Sequence, residues 1–265
     1  MMRECDCFMK IIAIANQKGG VGKTTTAINF SAALTKFGKK VLLIDTDPQG
    51  HATIGLGVAT KNKRTLAELL TYEKCSAKDV IQASYVKNLD VIPSDLSLAV
   101  AEMKLSMMGA KEFKLRTKLN GIEGYDFVVI DCPPTFGTLA MNAFTLAHQV
   151  ILPIQLSYFS LEGVNNFIET LQFVNGDINS IIEHKIHIAG VLITFCDTRA
   201  KISREVLASI DRVFGKVVFN TRIPANVRLN EAQAHGKVVF DYDPLCKGSL
   251  AYEAFTKEFL ERTLV

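Results

Sequence analysis

The sequence predicts an α/β domain built on a mostly parallel, twisted sheet with helices on both faces. Three observations predict it. Short apolar, β-branched runs alternate with longer stretches of helical period. Apolar residues make up 48% of the 265 positions, enough for a large core. Polar clusters follow three of the apolar runs, at 17–25, 45–50 and 131–135. Alternation of strand and helix implies right-handed crossovers and parallel neighbours covered on both sides.

The elements follow in order. A strand is expected over 10–15, rich in isoleucine, and a helix over 24–36 behind a glycine-rich loop, stopping short of Gly38. Strands are expected over 40–45 and 89–93, the second closed by Pro93, and a long helix over 96–119. The run Phe127–Asp131 is the next strand, followed by strands at 150–153 and 188–195 with a helix over 160–174 between them. A helix over 203–214, a strand over 217–220 and a final helix over 249–262 complete the pattern. No repeat, low-complexity stretch or linker rich in Pro, Gly or Ser interrupts it, so residues 9–265 read as one domain. Residues 1–8 read as a tail or a start-site artefact, since Met9 directly precedes the first strand.

Composition excludes several classes. A net charge of +3 points to no particular partner. Of the six cysteines, Cys5 and Cys7 form the single close pair, so neither a disulfide framework nor a zinc site is expected, and a reducing cytosol suits them. The start, MMRECDCF, lacks the apolar block of a signal peptide, and no apolar run is long enough to span a bilayer. His51, His148, His184, His187 and His235 show no pairing with a nucleophile and read as structural or surface residues.

In open α/β sheets ligands bind beyond the carboxyl ends of the strands, where all three polar clusters fall. The first is NQKGGVGKTT. Gly19, Gly20 and Gly22 allow positive φ and close approach to an anion, and their N–H groups, with Val21 between them and the start of the next helix, form a phosphate cradle. Lys23 is placed for β- and γ-phosphate oxygens and Thr24 for Mg²⁺, with Thr25 completing the loop of a P-loop NTPase fold. Gln17 stands where the general pattern has its first glycine. Lys18 does not fit a single-loop picture: it is either solvated or reaches phosphates bound to a neighbouring copy, as an arginine finger does in trans.

In the second cluster, Asp45-Thr46-Asp47-Pro48-Gln49-Gly50, Asp45 either supports Mg²⁺ through water or caps the turn. In the third, Asp131 closes a strongly apolar strand, as a Walker B acid does, and is expected to bind Mg²⁺ through water, the alternative being a turn former.

QKGGVGKTT, DTDPQG and VVIDCPPTFG together resemble the deviant Walker A cytoskeletal ATPases, specifically the ParA/Soj branch. The likeness continues through LDVIPSDLSLAVAEMKL, GVLITFCDTRAKIS and PANVRLNEAQAHGKVVFDYDP, nearly the whole chain. The resemblance implies a slow ATPase using ATP and Mg²⁺. It makes Lys18 the intersubunit lysine of a nucleotide-sandwich homodimer, and Asp47 the residue that orients the attacking water and stands near the metal. It also places Pro224 at the nucleotide.

It further implies sequence-independent DNA binding by Arg199 and Arg228, with Lys247 a weaker candidate, and a ParB-like partner that stimulates hydrolysis. Lys201, Arg204 and Lys237 read as an ordinary charged face. The expected location is the cytoplasm, on the nucleoid, with no membrane partner. Because the first strand begins near residue 10, the chain resembles the short ParA type without an operator-binding domain.

Two rivals belong to the same superfamily. A MinD-type membrane-surface ATPase would need a basic amphipathic C-terminal helix, whereas YEAFTKEFLERTLV mixes acids and bases. An iron-protein reductase would need bridging cysteines, and Cys132 has no partner at a persuasive spacing.

Overall fold

The computed structural model describes residues 9–156, 160–196 and 201–263. Strands β1 (Lys10–Ile14), β2 (Val41–Asp45), β3 (Gln82–Ala83), β4 (Leu89–Ile92), β5 (Phe127–Asp131), β6 (Gln149–Gln155) and β7 (His187–Thr194) form one seven-stranded sheet in the order β3-β4-β2-β5-β1-β6-β7. Every pairing is parallel except the edge strand β3, which runs antiparallel to β4.

Residues alternate between the faces as a pleated strand requires. Ile11 and Ala13 of β1 point into one core, Ile12 and Ile14 into the other. Helices α1 (Lys23–Lys36), α2 (His51–Gly55), α3 (Leu66–Thr71), α4 (Ser97–Ser106), α5 (Lys114–Leu119), α6 (Thr138–Leu146), α7 (Ser160–Phe173), α8 (Lys201–Phe214), α9 (Val227–Ala234), α10 (Val239–Tyr242) and α11 (Lys247–Thr263) cover both faces. The first core takes Leu66, Leu98, Leu115, Phe144, Phe167 and Ile210 from α3 to α8. The second takes Ile28, Phe30, Leu229, Val239, Phe255 and Phe259 from α1 and α9 to α11.

The docking of α11 bears on the membrane alternative. Its Phe255 and Phe259 rings pack on Phe30 at centroid distances of 5.3 and 5.0 Å, and the buried Tyr252 hydroxyl lies 3.1 Å from that of Thr26. The apolar side of this helix is spent inside the protein, and among the described residues no helix is long and apolar enough to cross a membrane.

Two expectations need correction, and one element was unforeseen. The long helix over 96–119 is two helices, because Gly109 and the positive φ of Ala110 (51°) interrupt it before a single tight turn at Lys111–Phe113. The strand over 217–220 does not form. A tight turn at Gly215–Val217, with Gly215 at φ 52°, leaves Val218 with one isolated bridge to Val191. Strand β3 was not anticipated, since Gln82-Ala83 is too short and too polar to carry a period. Residues 1–8 lie outside the described residues.

Beside that isolated bridge, β7 shifts register against β6, pairing Val150 with Ile188 but Ile151 with Gly190. Gly190 is required by its neighbour: a Cβ there would lie 2.2 Å from Cε2 of Phe219. Gly190→Ala should therefore cost about 2–3 kcal/mol through overpacking. Denaturant titration checks this, and Phe219→Ala in the same chain should recover part of the loss by opening the space.

Candidate functional site

The carboxyl ends of β1, β2 and β5 stand in register, with Ile14 beside Asp131 and Asp131 beside Asp45. The loops that follow converge there, which is why three polar clusters distant in sequence meet. A cleft of about 550 Å³ opens over them, lined by Gly19, Gly20, Gly22, Lys23, Thr24 and Thr25 on one side and by Asp47, Gln49, His51, Pro134, Phe195 and Asn230 around it. That volume suits a nucleotide-sized ligand.

The loop after β1 is held from below. Asn16, buried, donates to the Pro153 carbonyl at 2.7 Å and accepts from the Lys18 N–H at 2.9 Å. Thr194 of β7 donates its hydroxyl to the Val21 carbonyl at 2.8 Å. Gly20 and Gly22 take φ of 72° and 83°, so the chain folds back and delivers the first N–H groups of α1 to the cleft, with no side chain capping them. Val21, expected at the nucleotide, turns its own side chain into the core at 1% exposure and leaves only backbone to the loop.

Charge is concentrated where water is scarce. Lys23 is 7% exposed, and its Nζ donates to the Lys18 carbonyl at 3.1 Å. Burial lowers its pKa, opposed by the charge of Asp131. Asp131 is fully buried, and neither carboxylate oxygen has a hydrogen-bond partner. Burial and the neighbouring Asp45 push its pKa well up, against the pull of the nearby Thr24 hydroxyl and of Lys23.

Asp45 is engaged with the turn. Its Oδ2 accepts from the N–H and hydroxyl of Thr53 at 2.8 and 2.7 Å, and its Oδ1 from the Asp47 N–H at 3.2 Å, capping the first turn of α2. Burial nonetheless raises its pKa to about 6. Gly50, at φ 63°, lies against β4's exit so closely that a Cβ would meet the Ser94 carbonyl oxygen at 2.7 Å. Ser94 in turn donates to the Asp47 carbonyl at 2.7 Å, leaving the Asp47 side chain half-exposed at the cleft.

The remaining expected residues are dispersed. Lys18 is half-buried at the loop entrance and is not among the residues lining the cleft. Pro224 runs beside Cys196 past the end of β7, also off the lining. Arg228, on α9, pairs with Glu231 at 2.7 Å and Asp243 at 3.4 Å on the surface, and Lys247 is exposed at the start of α11. Arg199 lies outside the described residues. Cys132 is buried against the site, which pushes its thiol pKa up and leaves it inert. His51, read as a surface residue, is exposed but at the cleft rim. Phe195 and Asn230 line the cleft although the segments of family likeness that contain them assigned them no role; residues from β7's exit and from a helix become neighbours only through the fold.

Comparisons with known proteins agree with this geometry. The AAA domain family matches residues 9–184. The chain is 41% identical over 94% of its length to the sporulation initiation inhibitor protein Soj of Bacillus subtilis, spanning 97% of that protein. It is 40% identical over 96% of its length to the chromosome partitioning protein ParA of Caulobacter vibrioides, spanning 95% of it. Among solved structures, cobyrinic acid a,c-diamide synthase from Mycobacterium smegmatis with bound ATP analog and magnesium superimposes with a TM-score of 0.82 at 32% identity, over 97% of this chain and 96% of that one. By this family match and these identities over nearly its whole length, the chain belongs to the ParA/Soj family of partition ATPases within the ParA/MinD superfamily.

Proposed function

We propose that the protein is a magnesium-dependent ATPase that partitions DNA, pairing with a second copy around bound ATP and holding nonspecific DNA in that state. The observation that carries this reading is the buried Lys23 set beside the orphaned carboxylate of Asp131 beneath a loop whose N–H groups face the cleft. An anion from the cleft and a cation between it and Asp131 would satisfy both.

In this reading the backbone from Gly19 to Thr25 receives the phosphates, and Lys23 exchanges the Lys18 carbonyl for phosphate oxygens. The residues present fit Mg²⁺: Asp131 offers two unsatisfied buried oxygens, Thr24 a hydroxyl beside them, and Asp47 a further carboxylate. Among the described residues no three or more His, Cys, Asp or Glu side chains form a metal cage, which suits an ion that keeps its waters and takes ligands from a nucleotide. When bound, Mg²⁺ neutralises charge on the phosphate oxygens.

Asp47 positions the attacking water, a task of orientation more than covalent chemistry. Lys18 reaches the nucleotide of the paired copy. No arginine stands in the loop itself, so intrinsic turnover is slow and a ParB-like partner accelerates it. Arg228 and Lys247, with Arg199, carry DNA phosphates on the nucleoid, Arg228 by exchanging its surface carboxylates for them.

Three outcomes test this. Lys23→Ala should abolish ATP binding in calorimetry, while Asp47→Ala keeps binding and ATP-dependent pairing but loses hydrolysis at least about a hundredfold. Brisk cleavage by the Asp47 variant would remove that residue from the mechanism.

The second concerns Asp131. Its folded pKa is raised, so ionisation costs the empty protein stability that is intact below the unfolded value near 3.9 and lost as pH rises toward the folded one. Asp131→Asn should therefore melt higher than wild type without nucleotide at neutral pH, by an amount on the order of 1–3 kcal/mol, and the gap should close near pH 4. The same variant should show a smaller rise in melting temperature with ATP and Mg²⁺. A variant that melts lower at every pH contradicts the assignment.

Third, Arg228→Glu with Lys247→Glu should weaken ATP-dependent DNA retention for all sequences alike and flatten its salt dependence, by about one unit of slope per lost phosphate contact. Unchanged DNA gel shifts would move the DNA surface elsewhere.

A further inference from the structure

We infer that Phe195 is the platform on which the base of the bound nucleotide stacks. The inference rests on the nucleotide-site reading above and adds to it a residue to which the sequence analysis gave no role. Three observations support it: the backbone of Phe195, the position of its ring and the order of the strands.

Phe195 follows the last residue of β7 and has φ 48°, in the left-handed region that a bulky aromatic residue rarely enters. The chain on either side is fixed. Thr194 is paired with Gln155 and bonded through its hydroxyl to Val21, and the Cys196 N–H donates to the Ile223 carbonyl at 2.9 Å. In an extended strand the side chain after Thr194 would point to the opposite face. Here both side chains meet the phosphate loop on one side. A Cβ built on Gly22 would lie 3.3 Å from Phe195 Cε2 and 3.7 Å from Thr194 Cγ2. The strained φ is what brings the ring to the cleft, and strain of this kind persists where the surroundings over-determine it.

Strand order then gives the ring its task. The phosphate loop leaves β1. Asp47 follows β2 and Pro134 follows β5, both on one side of β1, whereas Phe195 follows β7 on the other. A triphosphate whose terminal phosphate faces Asp47 runs its nucleoside end toward Phe195. An aromatic face half-exposed in a cleft suits a purine, because stacking needs only two π faces.

The test compares ATP with inorganic tripolyphosphate, which keeps the charges and lacks the nucleoside. Binding of each is measured by calorimetry with Mg²⁺ for wild type, Phe195→Ala, Phe195→Leu and Phe195→Trp. The expected result is about tenfold weaker ATP binding for the alanine and leucine variants, retained ATP binding for tryptophan, and tripolyphosphate affinity equal in all four. The Leu variant keeps apolar bulk beside Gly22, so it reports even where Ala disturbs the loop. Equal weakening of both ligands would make Phe195 a wedge under the phosphate loop and overturn the inference, as would unchanged ATP affinity in the alanine and leucine variants. Absence of ATP binding by the wild type would instead overturn the nucleotide site itself, so the two failures are distinguishable.

Discussion

Lys23, at the start of α1, and Asp131, at the end of β5, are buried groups of opposite charge, and neither is fully served by the other. The lysine donates to a backbone carbonyl, and the carboxylate, with the Thr24 hydroxyl nearby, makes no hydrogen bond of ordinary geometry. Burial disfavours the charged form of each, lowering one pKa and raising the other. An arrangement of this kind costs the fold stability, and under the proposed function a phosphate and a cation would return it by supplying the missing partners in a medium of low dielectric. The rest of the architecture can be understood as what keeps these two groups from collapsing onto each other or escaping to water.

That restraint comes from neighbouring strands. Asn16 fastens the loop's entrance to β6, Thr194 fastens its middle to β7, and Gly22 leaves room for Phe195 to press from the side. On the opposite flank, Asp45 uses its carboxylate on the first turn of α2, and Ser94 holds the Asp47 carbonyl from the end of β4. Two aspartates two residues apart thus have different duties. One is sealed in and structural, and the other is tethered by its backbone with its side chain at the cleft. A loop pinned on both sides needs little reorganisation when the phosphates bind, which is where positional catalysis gains its rate.

Much of this was legible in the residues because it is local. Glycines, a lysine and a threonine at fixed offsets lie within a few positions of one another between a strand and a helix, and Asp131 closes an apolar run of its own. The fold class followed from period alone, as did six of the seven strands. What failed was decided at a distance. Val217 and Val218 have strand-like chemistry, yet Gly215 turns the chain and Phe219 is drawn into the space over Gly190. Phe195 and Asn230 reach the cleft from β7's exit and from α9, a juxtaposition that no spacing encodes. Arg228 read as a cation open to DNA, and the structure gives it two surface carboxylates as neighbours.

The two lysines of the loop are linked through a bond that neither residue reveals alone. Lys23 Nζ rests on the carbonyl of Lys18, five residues back, while the Lys18 N–H is held by Asn16. Under the proposed function, phosphate takes Lys23 from that carbonyl, so the residue whose backbone loses a donor is the same one whose side chain serves the paired copy. Asn16 keeps the peptide in place through the exchange, since its bonds to Lys18 and Pro153 do not involve Lys23. In that proposal, occupancy of one site would be felt first at the segment assigned to the other. Coupling between nucleotide and pairing then needs no long-range rearrangement, only the exchange of one hydrogen bond within a short loop anchored to β6.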